Sequence, residues 1–124
     1  MRKLKIQFSD SCALCVFPQS RGQLPQAIAE LGFLETRPVI VLVGGYIQEK
    51  HAHVTQEAIG VIAAFAEENQ VLVICGGSNL GIMASIGQTR QSHGYGFPLL
   101  GINLESRVSW PNMPWYLHLF GWGK

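Results

Sequence analysis

Paired glycines are the residues whose type and spacing most clearly point to chemistry. The apolar run VLVIC ends in Gly76 and Gly77. Ser78, Asn79 and, in the first turn of an expected helix, Gly81 come next. Backbone without side chains at a helix N-terminus lets a phosphate approach the N–H groups, and the Ser and Asn side chains add donors. We therefore predict phosphate binding here, while a tight turn that needs glycine only for its geometry stays open as the alternative.

A second glycine pair, Gly44 and Gly45, ends the apolar run VIVLV, and Tyr46 follows it. We expect this pair to lie at the same edge of a sheet, where the tyrosine ring can stack on a base or ribose. His51 and His53 come soon after, but their spacing suits neither a helical metal pair nor a catalytic triad. We interpret them as solvated loop histidines.

The acidic residues offer a weak case for catalysis. Glu105 ends the third apolar run and is the acid whose position suits general acid–base work or a contact with a ribose hydroxyl. An ordinary strand-end carboxylate is the alternative. Glu67 and Glu68 end a helix and are expected to face solvent.

The three cysteines favour structural roles. Cys12 and Cys15 form a C-x-x-C, but no second ligand pair at a suitable spacing would complete a zinc site. We interpret them as small buried residues of a strand, and Cys75 likewise. An odd number of cysteines fits a reducing compartment better than a disulfide framework. The sequence thus predicts no metal site and no cofactor.

The elements that would position the glycines alternate along the chain. Strands are predicted over Pro38 to Gly45, Val71 to Gly77 and Phe97 to Glu105, the first of them buried on both faces. A helix capped by Thr55 and ended by Asn69 lies between the first two strands. Its expected apolar stripe consists of Ala58, Ile62 and Phe65, with Ile59 and Ala66 beside it. A second helix covers Asn79 to Ser92. This order predicts a three-layer α/β Rossmann-like fold whose mostly parallel sheet is flanked by helices.

The remaining segments complete one domain over 1–124. Residues 1–36 hold two strands, LKIQF and CALCVF, and a short helix with Pro25 in its first turn and Gly32 at its end. Residues 37–105 form the βαβαβ core. Residues 106–124 are an aromatic tail in which PWYLHLF is a candidate strand. The tail either completes the core or exposes an aromatic patch through which the chain forms a homo-oligomer.

Composition excludes several function classes. Of the 124 residues, 48% are hydrophobic and 14% charged, which is typical of a folded domain. The formal net charge of +1 gives no reason to expect nucleic acid as a partner. No apolar run approaches the roughly 18 residues of a membrane helix, so we expect no membrane partner. Without a signal-peptide pattern, the expected localisation is cytoplasmic.

The segment VLVICGGSNLGIMASIGQ resembles the SLOG superfamily, which includes the Lonely Guy phosphoribohydrolases and the "lysine decarboxylase-like" proteins. In those families a strand runs into paired glycines, and a helix of small residues follows. Gly76, Gly77, Gly81 and Met83 match this pattern. RPVIVLVGG is similar to the preceding strand of the branch related to the cytosolic domain of TRPM-type channels, and LLGINLE to the third strand.

The resemblance implies that the sheet binds a nucleotide derivative, with its phosphate at the second glycine loop. For the TRPM-like branch the implied ligands are NAD-derived molecules such as ADP-ribose. For the Lonely Guy branch the ligand is a nucleoside 5′-monophosphate, cleaved at its N-glycosidic bond. The catalytic P-G-G-x-G-T-x-x-E motif of that branch is missing here, which favours binding over catalysis. A phosphoribohydrolase and a non-catalytic association module, formed by a truncated domain, stay as alternatives.

Overall fold

A computed structural model describes residues 1–7, 12–33, 35–76, 81–104 and 118–122. Its strands are β1 (Arg2–Gln7), β2 (Cys12–Phe17), β3 (Val39–Val41), β4 (Leu72–Gly76), β5 (Leu99–Leu104) and β6 (His118–Trp122). Its α-helices are α1 (Leu24–Glu30), α2 (Ala52–Asn69) and α3 (Gly81–Ser92). Short 3₁₀ turns, Arg21–Gln23 and Glu49–His51, precede α1 and α2.

The strands form one six-stranded sheet in the order β1-β2-β6-β5-β4-β3. β1 and β2 pair antiparallel, and the other neighbouring strands pair parallel. Because parallel neighbours need a long crossover, α2 joins β3 to β4 and α3 joins β4 to β5. The predicted Rossmann-like α/β fold is confirmed. The division into 1–36, 37–105 and 106–124 stays a prediction.

Helices α2 and α3 cover one face of the sheet, which we call the sealed face. Alternate strand residues point to it because successive side chains of a strand lie on opposite faces. Val73, Leu99 and Ile86 on this face are fully buried. The buried cluster consists of Cys15, Phe17, Ile59, Ala63, Ala66, Val71, Val73, Cys75, Ile86, Phe97 and Leu99.

Helix α1 lies on the opposite face, which we call the open face. The buried residues there are fewer: Val16, Ala27, Leu31, Leu72 and Leu100. Toward β3 the described residues cover this face only in part. Apolar residues that remain exposed on this side include Ile28, Val39, Val41 and Ile102.

Strand β3 differs from its prediction. A strand buried on both faces was expected over Pro38 to Gly45, but the regular strand spans Val39–Val41 and lies at the edge of the sheet. Val41 is 60% exposed and Val43 86%. One further pairing bond, from the Leu42 N–H to the Ile74 carbonyl, extends the contact with β4. The β-branched run indicated a strand correctly, but such a run does not specify a central place in the sheet.

Helix α2 begins three residues before the expected cap at Thr55 and ends at Asn69 as predicted. Gln70, which follows it, has a left-handed φ of 49°. The buried stripe is rotated from the expected one: Ile59, Ala63 and Ala66 are buried, whereas Ala58 and Phe65 are exposed. Small residues at the contact allow helix and sheet to approach closely, which leaves the bulky phenylalanine toward solvent.

Glu67 does not face solvent as expected. Its carboxylate accepts the Gly96 N–H with both oxygens, at 2.9 and 2.8 Å. Arg90 lies nearby and donates from Nε to the Phe97 carbonyl at 2.7 Å. Burial lowers the pKa of the Arg90 guanidinium, and the charge of Glu67 acts in the opposite direction. This pair therefore ties the end of α2 to the segment between α3 and β5. Glu68 is exposed, as expected.

The cysteine interpretation is confirmed for Cys15 and Cys75, which are buried in strands, whereas Cys12 is only half-buried. Cys12 and Cys15 lie three residues apart on β2, so their side chains project to opposite faces and cannot pair. None of the three cysteines lies in a disulfide. The predicted tail strand is present as β6, while residues 105–117 and 123–124 lie outside the described residues. Whether the tail completes the core or forms an oligomer surface depends on those residues and stays a prediction.

Candidate functional site

The two glycine loops meet where the neighbouring parallel strands β3 and β4 end. The Gly45 carbonyl accepts a hydrogen bond from the N–H of Ile82, in the first turn of α3, at 3.4 Å. The loop after β3 therefore packs on the helix that follows β4. This is the edge at which open parallel sheets bind their ligands.

Gly81 is needed for this contact on two counts. Its φ of +49° lies in the left-handed region, which strains other residues. A Cβ on it would overlap the Gly45 carbonyl. Close packing of the loop after β3 on α3 therefore accounts for a glycine at this position.

Two further glycines are explained by the same packing. A Cβ on Gly76 would lie 2.5 Å from the Met83 sulfur, and one on Gly44 would lie 2.6 Å from Cδ1 of Ile82. The side chains of Ile82 and Met83 thus occupy the space that these glycines leave. Sequence reasoning did not predict a role for Ile82 in joining the two loops, although its position directly after Gly81 was a signal for one.

Gly45 is different, because a Cβ there would meet no atom within 4 Å. Its φ is also outside the left-handed region. Neither contact nor conformation in the described structure therefore requires glycine at this position. Tyr46, the next residue, is 87% exposed. Together they present uncovered backbone and an aromatic ring at the carboxyl edge of the sheet.

The histidines are solvated, but they are not in a loop as expected. His51 closes the 3₁₀ turn and His53 lies in the first turn of α2, since that helix begins earlier than predicted. His53 Nε2 lies 3.1 Å from Oε1 of Glu57, one helical turn later, and both side chains are largely exposed. Helical i,i+4 spacing brings this pair together and accounts for it without a ligand.

Four of the predicted site residues lie outside the described residues: Gly77, Ser78, Asn79 and Glu105. They stay predictions. Within the described part of the chain, no three His, Cys, Asp or Glu side chains are grouped as a metal would require. The helices of that part also include none with the length and apolarity needed to cross a bilayer.

Comparison with known families matches one continuous range of the chain that includes both glycine loops. Residues 37–116, more than half of the chain, match the family described as SLOG in TRPM, prokaryote. The matched range contains both glycine pairs, α2, α3 and β5. Comparison with curated proteins finds no match.

Proposed function

We propose that this chain, which belongs to the family described as SLOG in TRPM, prokaryote, is a nucleotide-derivative binding module. The ligand class is that of ADP-ribose, NAD and nucleoside phosphates. The phosphate binds at the Gly76–Gly77 loop, and Tyr46 stacks on the base or ribose. No chemistry is assigned to the site, because the sequence lacks the acidic motif that the related hydrolases use.

The observation that carries this proposal is the unexplained glycine at position 45. Packing accounts for the absence of a side chain at Gly44, Gly76 and Gly81, but nothing in the described structure fills the space beside Gly45. Bare backbone at the carboxyl edge of a parallel sheet is where a phosphate or ribose approaches closely. A bound ligand would explain why position 45 is glycine, whereas contacts within the described structure do not.

The hydrogen bonds of the loop refine the phosphate position. The Ile82 N–H already donates to the Gly45 carbonyl, so it is not available to an anion. We therefore assign the phosphate to the N–H groups that precede Ile82, with the Ser78 hydroxyl and the Asn79 amide as further donors. The partial positive charge of the α3 N-terminus favours an anion at this position.

Calorimetric titration with ADP-ribose, NAD and AMP tests the proposal, with thermal unfolding as a second readout. A ligand at a hundred times its Kd should raise the free energy of unfolding by about 2.7 kcal/mol. The informative variant is Gly45→Ala. Its new methyl group meets no atom of the described residues, so we expect the free protein to keep its stability. We expect the Kd to rise at least about tenfold, a loss of roughly 1.4 kcal/mol.

Gly60→Ala is the matched control, because a Cβ at Gly60 also meets no atom within 4 Å and the residue lies away from the edge, on α2. Its Kd should equal that of the unmodified chain. Equal Kd values for all three proteins would refute a ligand beside Gly45. Failure of every ligand to bind would remove the proposed function, and adenine release from AMP would replace it with a hydrolase.

A further inference from the structure

The open face carries a pocket of about 260 Å³ between α1 and the strands β3, β4 and β5. We call it the open-face pocket. Its lining residues are Ile28, Phe33, Glu35, Thr36, Arg37, Val39, Leu72, Ile74 and Leu100. Six of these nine are apolar, and the three polar ones are consecutive in the chain. The pocket therefore has apolar walls and one polar end.

Arg37 stands at the polar end with an unmet hydrogen-bonding requirement. Among the residues that the structure describes, its Nε is buried and has no hydrogen-bond partner. Its guanidinium carbon lies 5.9 Å from the centroid of the Phe33 ring, which holds the group at the pocket wall. Arg37 is also the one cation among the described lining residues, so an anionic acceptor that enters the pocket meets a positive charge there.

We propose that the open-face pocket binds a small organic acid. Its carboxylate accepts hydrogen bonds from Arg37, and its hydrocarbon or aromatic body lies against Leu72, Ile74 and Leu100. A carboxylate matches the planar guanidinium in geometry and charge better than any neutral acceptor does. The apolar walls supply the remaining binding energy by burial of the ligand body.

Size and charge define the acid further. A pocket of this volume is smaller than most drug-sized sites, so the ligand is an acid of about ten heavy atoms. Glu35 lies two residues from Arg37 and also lines the pocket, so the polar end carries one charge of each sign. A single carboxylate is compatible with this arrangement, whereas the glutamate repels a polyphosphate.

The open-face pocket begins at the opposite end of the strands from the glycine loops. Val39 and Leu72, which pair at the start of β3 and β4, line it. The five steps from Val39 to Gly44 span roughly 16 Å of extended chain, and the two steps from Ile74 to Gly76 span roughly 7 Å. Competition between an acid and a nucleotide therefore tests whether the two sites are independent.

Octanoate and 3-phenylpropionate are suitable probes, each compared with its neutral amide by calorimetric titration or ligand-observed NMR. We expect saturable binding of the acids at one site per chain, at least tenfold tighter than binding of the amides. Arg37→Met should remove the preference for the acid. The exposed Arg21 lies in a 3₁₀ turn outside the pocket, so Arg21→Met should leave the affinity unchanged.

Two more measurements distinguish a loss of ligand binding from a loss of folding. Thermal unfolding of Arg37→Met should occur at the temperature of the unmodified chain or above it, because the substitution removes a buried donor that has no acceptor among the described residues. Arg37→Lys keeps the charge but loses the fork geometry, so its affinity for the acid should lie between those of the other two proteins.

Equal affinity for acid and amide, or no binding of either, overturns the proposal. So does a concentration-dependent dimer that Val39→Glu disperses, because the occupant of the open face would then be a second copy of the chain. Displacement of octanoate by AMP would also overturn it, since the two ligands would share one site.

Discussion

The two faces of the sheet are built from alternate residues of the same strands, yet they are covered very differently. On the sealed face, Ile86 of α3 is 0% exposed. On the open face, Ile28 of α1 is 41% exposed and Val41 of β3 60%. A parallel sheet needs a helix over each part of each face, and toward β3 α1 supplies only part of that cover.

The difference separates residues that specify the fold from residues that are available for binding. The sealed face is closed by two long crossover helices that contact each other as well as the sheet. The open face keeps apolar side chains at its surface, and its pocket is lined by Arg37, whose Nε has no hydrogen-bond partner among the described residues. Stability should therefore depend on the first face, and ligand binding away from the glycine edge on the second.

The largest expected effect comes from truncation of an isoleucine on each face. Ile86→Ala should lower the free energy of unfolding by about 2–5 kcal/mol, because it leaves a cavity in a closed core. Ile28→Ala removes the same atoms from a partly solvated site and should cost less than about 1 kcal/mol. Urea denaturation at constant m-value measures both. Similar losses for the two variants would mean that the open face is covered in solution.

A valine on each face gives an intermediate effect. Val73 is fully buried on the sealed face, and Val41 is largely exposed on the open face. Val73→Thr replaces a methyl group with a hydroxyl that lacks a partner and should cost about 1–3 kcal/mol. Val41→Thr keeps the β-branched shape in contact with water and should change stability by less than about 0.5 kcal/mol. A large loss of stability for Val41→Thr would contradict the exposure of Val41 on the open face.

Most of the fold could be predicted because its signals are local. Apolar runs predicted β4 and β5, and the positions of Gly32 and Asn69 predicted the ends of α1 and α2. The place of β3 in the sheet could not be predicted in this way. A run of β-branched residues lowers the energy of a strand anywhere in a sheet, and only the path of the chain decides whether that strand is central or at an edge.

The candidate site shows the same limit. Adjacent glycines indicated where two loops end, but sequence did not separate Gly81, which avoids the Gly45 carbonyl, from Gly45 itself, beside which the space is open. That distinction depends on contacts between loops distant in the chain. Arg37 gave no sequence signal at all, because its importance comes from burial of one nitrogen beside Phe33.

The smallest expected change in stability comes from the hydrogen bonds between α2 and α3, the two helices of the sealed face. Gln56 of α2 joins α3 at two points: its amide oxygen accepts from the Ser85 hydroxyl at 2.6 Å, and its Nε2 donates to Thr89 Oγ1 at 3.0 Å. Gln56→Leu leaves the hydroxyls of Ser85 and Thr89, both nearly buried, without this partner. It should lower the free energy of unfolding by about 1 kcal/mol. Gln88→Leu, at an exposed position of α3, is the matched control and should be neutral.

A triple variant distinguishes loss of the Gln56 hydrogen bonds from a direct effect of the new leucine side chain. Adding Ser85→Ala and Thr89→Val to Gln56→Leu removes the stranded hydroxyls, so the triple variant should regain most of the lost stability. Chemical denaturation of the three proteins gives the answer. If the triple variant is no more stable than the single one, the hydrogen bonds do not contribute. The two crossover helices would then be held together by apolar contact alone, and the sealed face would differ from the open face only in how much apolar surface it buries.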